Sequence, residues 1–474
     1  MGWLSSLARK SLILAAASAL AACATLPPPG SARVAKAAQS YAVAQSKAGP
    51  ERAWPGDRWW SAYGDAQLDG LIKEALASAP SLAIAEARIR KAVSMENRGR
   101  LTPTISANGY VIEQKQSYNS GIPRAFVPHG YNDYGRATLD FSWELDFWGK
   151  NRAAVAAAIT EARAAEADAA EARLALSTNV AAAYADLARL FAERDVAERA
   201  VTVQSETSKL VADRVRNGLD TLGEQRQAEA NPLQAQADLK AIDEQIALTR
   251  NRLAALIGAG PDRGLAIARP KVGALTAIGA PKELAANLVG RRPDVTAARL
   301  RAEAAAKRIK EARAAFYPDV NLAAFIGVQS LTLTKLTASG SDVGSVGPAV
   351  SLPIFNGGHL KANLRGAEAD RDAAVASYDA AVTEAFRQVA DVLASSRALQ
   401  GELSDSRAAL AASEDAYRIA RLRYEGGLST YPAVLLAEQG VLTRRRTVAD
   451  LEARALILDV QLVRALGGGF HAAA

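Results

Sequence analysis

Three short motifs recur at one fixed separation, and this restricts the possible folds more than any other feature of the chain. Gly149-Lys150-Asn151-Arg152-Ala153 resembles Gly358-His359-Leu360-Lys361-Ala362, 209 residues on. Asn217-Gly218-Leu219-Asp220-Thr221 resembles Gly426-Gly427-Leu428-Ser429-Thr430, with Gly218 and Gly427 again 209 apart. Leu256-Ile257-Gly258 and Ala465-Leu466-Gly467 repeat the same offset. Three landmarks at one spacing mean two copies of a single unit with no net insertion between them. Upstream, Thr102-Pro103-Thr104-Ile105 matches Tyr317-Pro318-Asp319-Val320 at 215 residues, so the first copy is longer there. Loops absorb such a difference and packed helices rarely do.

Each copy reads as a pair of long helices. Residues 151–216 lack both Pro and Gly and are rich in Ala, Glu and Arg. Aromatics are only 6% of the 474-residue chain although 49% is hydrophobic, because alanine supplies much of the apolar count. That mixture favours closely packed helices over a thick core. At about 1.5 Å per residue, the first helix would be roughly 95 Å long. Asn217-Gly218 stops it, and a second helix follows over 221–257, with a kink expected at Pro232. The second copy repeats the plan over 359–424 and 431–466. Helices of this length point to coiled coils, repeats or membrane-linked bundles.

Before the first long helix the period changes to two. Ala137, Leu139, Phe141, Trp143, Leu145 and Phe147 alternate with Arg136, Thr138, Asp140, Ser142, Glu144 and Asp146. Such a strand fits a membrane barrel, bulky outside and charged inside, although half-buried strands of soluble sandwiches also alternate. Strands are expected at 104–114 and 134–147, and in the second copy at 320–330 and 345–354. Pro348 and Pro353 suit only edge or end positions. Four strands cannot close a barrel, which needs about eight. Lipid satisfies no open strand edge, so copies must associate, and three chains giving twelve strands leave room for a conduit.

The N-terminus carries an address. Arg9 and Lys10 precede a short apolar run from Leu12 to Leu20, then Leu20-Ala21-Ala22-Cys23. This is a secretory signal over 1–22, and its end matches the bacterial lipobox, which makes Cys23 the acylated first residue. Ala24, in place of an aspartate, favours the outer membrane. Cys23 is the one cysteine, so no intrachain disulfide is possible. The domain plan is therefore 1–22 signal, 23–64 lipidated extension, 65–260 first repeat, 261–281 linker, 282–467 second repeat and 468–474 tail. Loss of the signal leaves 55 basic against 50 acidic residues, interleaved along helices, so no nucleic-acid partner is expected. The three histidines, His129, His359 and His471, lie far apart in sequence with no ligand-type neighbours. No catalytic residue, metal site or cofactor is expected beyond the lipid on Cys23, and no enzyme activity.

An ordered set of segments resembles the TolC-like outer-membrane efflux factors, specifically the NodT-type lipoprotein branch that works with RND pumps. The set comprises Leu20 to Cys23, Arg58 to Leu68 (RWWSAYGDAQL), Trp143 to Lys150 (WELDFWGK) and Arg291 to Val295 (RRPDV). It continues with Phe316 to Val320 (FYPDV) and Leu352 to Gly358 (LPIFNGG). The resemblance implies a homotrimer with a twelve-stranded barrel in the outer membrane and a twelve-helix tunnel in the periplasm. It implies a periplasmic adaptor and an inner-membrane RND pump as partners, and small solutes such as drugs or metals as cargo. Carried over by position, the turns Gly218-Leu219-Asp220-Thr221 and Gly427-Leu428-Ser429-Thr430 correspond to the adaptor-docking tips; the glycines would serve as helix C-caps in either case. The aperture would fall at Ala433 and Leu436, with Glu438 nearby and Glu224 in the other copy. Family members often place aspartates there; here a hydrophobic constriction at Leu436 is expected instead of an acidic ring. Tyr424 would either tether neighbouring helix pairs through its hydroxyl or simply pack. A protein-secretion exit duct and a soluble coiled-coil scaffold are the competing readings.

Overall fold

The computed structural model describes residues 28, 30, 32–37, 40–41, 50–119, 121–271 and 279–471. The signal segment and Cys23 lie outside them. The chain divides into two compact units. The first comprises Met1–Val34, Arg90–Ala164 and Arg299–Ser377; the second comprises Ala35–Ile89, Ala165–Ala298 and Tyr378–Ala474.

The first unit holds a four-stranded antiparallel sheet in the order β1-β2-β3-β4. The strands are β1 (Thr104–Lys115), β2 (Tyr131–Glu144), β3 (Asp319–Ser330) and β4 (Asp342–Ser351). Register aligns Ile105 with Phe141, Phe141 with Ala324 and Ala324 with Val346. Because side chains alternate along a strand, that row fixes the whole face: Ile105, Leu139, Phe141, Leu322, Ile326 and Val346 share it. Ile105, Ile326 and Val346 are 69–77% exposed on a single chain. The opposite face carries most of the polar residues, with Ile112 and Phe325 among them, and is internally bonded. Asn108 and Thr138 donate to Asp140 at 2.8 and 2.9 Å, and Asn321 donates to Ser142 at 2.9 Å.

Strand ends differ from the expected ones for identifiable reasons. The second strand is Tyr131–Glu144, not 134–147. Asp146 leaves the alternation because its carboxylate accepts from the backbone N–H groups of Asn151 and Arg152, at 3.2 and 2.8 Å. It caps the following helix and so pulls Leu145–Phe147 into the turn. The fourth strand is Asp342–Ser351, not 345–354. Gln329 N–H bonds Ser341 O at 2.7 Å, which extends the hairpin at one end. At the other, Pro353 supplies no N–H to continue the ladder.

Nine helices are described: α1 (Ala66–Ser78), α2 (Pro80–Ser94), α3 (Lys150–Arg216), α4 (Leu222–Leu256), α5 (Pro261–Leu265), α6 (Leu284–Arg291), α7 (Pro293–Ala314), α8 (His359–Glu425) and α9 (Tyr431–Ala465). The two long helices, α3 and α8, have 67 residues each, and the two that follow their turns have 35 each. Pro232 lies inside α4. No helix among the described residues is long and apolar enough to cross a membrane.

The second unit is packed in three clusters. In one, Trp59, Trp60 and the α1 residues Leu68, Leu71 and Ile72 meet Val180, Tyr184 and Leu187 of α3 and Leu253 of α4. In the next, Leu284 and Leu288 of α6 meet Val382, Phe386 and Val389 of α8 and Leu462 of α9. The third surrounds the helix turns and includes Val211, Ala228, Tyr424, Tyr431, Val434 and Leu435.

Candidate functional site

The two helix turns are built alike. After α3, Leu219 N–H bonds Arg214 O at 2.9 Å and Gly218 N–H bonds Val215 O at 3.0 Å. After α8, Leu428 N–H bonds Arg423 O at 2.8 Å and Gly427 N–H bonds Tyr424 O at 3.0 Å. This paired closure requires a left-handed residue, and Gly218 and Gly427 supply it with φ of +73° and +71°. Beyond the first turn, Thr221 and Glu224 form a capping box: Thr221 N–H and Oγ1 bond the Glu224 carboxylate at 2.8 and 2.9 Å.

A three-residue lock joins the turns. Tyr424, fully buried at the end of α8, donates its hydroxyl to Asp220 of the first turn. Arg214 grips the same carboxylate through Nε at 3.0 Å and Nη2 at 3.3 Å. Its Nη1 bonds the Tyr424 carbonyl at 3.0 Å, and its guanidinium lies 4.4 Å from the Tyr424 ring centroid. Burial, then the bond to Asp220, raises the Tyr424 pKa, which keeps the phenol a neutral donor. At the first residue of α9, Tyr431 accepts from Asn231 of α4 at 2.9 Å, and its ring is 6.2 Å from that of Tyr424.

The residues singled out from the sequence separate into distinct environments. Leu219 and Leu428 project into solvent, with Thr221 and Thr430 also exposed and Ser429 half-buried. Asp220, expected among the docking residues, instead turns inward to Arg214 and Tyr424. Ala433 and Leu436 lie on one exposed face of α9, Leu436 at 73%. Two further residues expected at the aperture are engaged within the chain. Glu438 is only 3% exposed, on the buried face with Tyr431, Val434, Leu435 and Val441. Glu224 is committed to its capping box. Helical phase held the clue for Glu438, which stands three, four and seven residues from Leu435, Val434 and Tyr431.

Sequence reasoning missed Arg214 and Asn231. The repeat itself held a signal for the first, since Arg423 occupies the place of Arg214 in the second copy while Ser429 stands where Asp220 does. Among the described residues no cluster of His, Cys, Asp and Glu is arranged to hold a metal ion.

Comparison with known proteins returns one consistent set. A family model described as outer membrane efflux protein matches residues 71–259 and 284–468. The chain is 35% identical to the fusaric acid resistance protein FusA of Burkholderia cepacia over 363 residues, 75% of this chain and 68% of that one. It is 32% identical to the multidrug resistance outer membrane protein MdtP of Escherichia coli K12, over 88% of each chain. The solved structure of the outer membrane protein VceC of Vibrio cholerae superposes with a TM-score of 0.82 at 44% identity, covering 88% of this chain and all of that one.

Proposed function

Since the chain belongs to the outer membrane efflux protein family, we propose that it is the outer-membrane exit duct of a tripartite, RND-type efflux system. The observation that carries this reading is the sheet. One face is apolar through the middle of the strands, from Ile105 to Val346, with charged residues such as Glu113 and Asp133 only towards one end. The other is largely polar and bonded, and the outer edges of β1 and β4 pair with no further strand among the described residues. In lipid such edges must be paired by other copies. Three copies supply twelve strands, whose Asp140 and Asn108 faces line a wet lumen while Phe141 and Ile326 meet lipid. The long helix pairs form the periplasmic conduit.

The duct is passive. An inner-membrane pump supplies the energy and a periplasmic adaptor bridges it to the helix turns, where exposed Leu219 and Leu428 offer an apolar grip. The lock of Arg214, Asp220 and Tyr424 holds each protomer's turns together at rest. The exposed face of α9 bearing Ala433 and Leu436 lines the closed aperture as a dewetting constriction. Acylation at Cys23 adds a lipid anchor; the lipobox Leu20 to Cys23 supports it. The cargo is small toxic solutes, in keeping with the names of FusA and MdtP.

The test is Leu436→Ser in planar bilayers. A polar ring at the constriction should raise single-channel conductance several-fold, and cells carrying it should become leaky to large antibiotics. Unchanged conductance would place the constriction elsewhere. A protein extracted without detergent as a lone chain would remove the duct altogether.

A further inference from the structure

The buried face of α9 carries one residue that does not belong in an apolar cluster. Tyr431, Val434, Leu435 and Val441 are buried there, and so is Glu438. Its Oε1 has no hydrogen-bond partner, and neither have Gln204 Oε1 and the Tyr417 hydroxyl. The groups around it are few: Gln204 of α3 bonds it, Tyr417 and Arg421 of α8 and Tyr431 of α9 lie within electrostatic reach, and Asn231 of α4 is taken by Tyr431. Arg421, the cation in this set, is paired with Glu425 at 2.9 Å. Two acceptor oxygens, Glu438 Oε1 and Gln204 Oε1, are thus unmet in an apolar setting, and Glu438 has no dedicated counter-ion. A proton on Glu438 removes the charge from this site, whereas a buried carboxylate without a counter-ion is strongly disfavoured there.

We propose that Glu438 is a proton-operated latch: carrying its proton it lets the first turns of α9 pack against α3 and α8, and losing that proton to solvent it loosens them. Burial raises its pKa to about 7, with the Gln204 bond and Arg421 opposing. The sign follows from linkage. The packed form binds the proton more tightly than the loosened form, so packing is strongest in acid and weakens as pH rises to about 7, then levels off. Because Leu436 lies on the opposite face of the same turns, loosening moves the constriction. That last step rests on the duct reading above; the latch does not.

Hydrogen exchange on the full-length protein in detergent tests the latch. After correction for intrinsic rates, the amides of residues 434–441 should open about tenfold more at pH 8 than at pH 6. Glu438→Gln, which keeps the size and removes the charge, should abolish that difference, and Glu438→Leu should do the same if the amide perturbs packing. The same pH dependence in both variants, or none in the wild type, overturns the proposal. In bilayers the wild type should conduct more at pH 8 than at pH 6, and Glu438→Gln equally at both. If neither wild type nor Leu436→Ser conducts, the duct reading falls while the exchange result still decides the latch.

Discussion

At the scale of single residues, the lock between the turns depends on one carboxylate serving two donors. Asp220 receives both the Tyr424 hydroxyl and the Arg214 fork. Tyr424→Phe removes one donor and leaves the Arg214 pair intact. Asp220→Ala strands a half-buried guanidinium and the phenol together, which is worse. A hydrogen bond to a charged group contributes about 1.5–3 kcal/mol, so Tyr424→Phe should shift the turns towards opening by about tenfold or more. Vancomycin sensitivity of cells, ranked wild type below Tyr424→Phe below Asp220→Ala, checks this. Equal sensitivity in all three would show that the lock bears no load. The copy-to-copy difference matters here: Ser429 replaces the acid in the second turn, so the lock exists once per chain, between unlike partners.

At the scale of elements, what was legible in the sequence was whatever depends on local chemistry repeated twice. The glycines of the two turns and the uninterrupted alanine-rich runs fix where long helices stop, because αL closure and helix propensity are local properties. The alternation from Arg136 to Glu144 likewise declares a two-faced strand. Asp146 was misplaced for the opposite reason. In the pattern it is one more polar alternate, but its role is to cap a helix that starts four residues later. Glu438 and Leu436 were grouped by closeness in sequence although helical geometry sends them to opposite faces. Of the lock, the sequence suggests only a tether through the Tyr424 hydroxyl. That Asp220 receives it, with Arg214 on the same carboxylate, does not follow, because the partners come from two turns about 200 residues apart and no local pattern specifies a contact of that span. The strand faces permit a sharp prediction. Phe141→Arg puts a cation on the lipid face and should cost about 2–4 kcal/mol near the bilayer centre. The yield of membrane-assembled protein should fall accordingly, whereas Ser142→Arg, one residue along and facing the lumen, should assemble normally. Equal losses in both variants would mean that the faces are reversed or that both are buried.

At the scale of the whole molecule, the decisive fact is the open sheet order β1-β2-β3-β4. A barrel needs no edge, and this chain has two. Its detergent-corrected mass should therefore equal three chains, with no stable lone chain on dilution, and light scattering measures this directly. A mass of one chain would remove the twelve-stranded barrel from the account.

Those two unfinished edges also bear on heredity. A cylinder closed by three copies is sound only when every stave is sound, and the staves are drawn at random from whatever the cell makes. A bacterium expressing a normal and a defective but still pairing gene equally would hold about one faultless cylinder in eight. Mutations that spare edge pairing yet spoil the passage should therefore be dominant, and those that abolish pairing recessive.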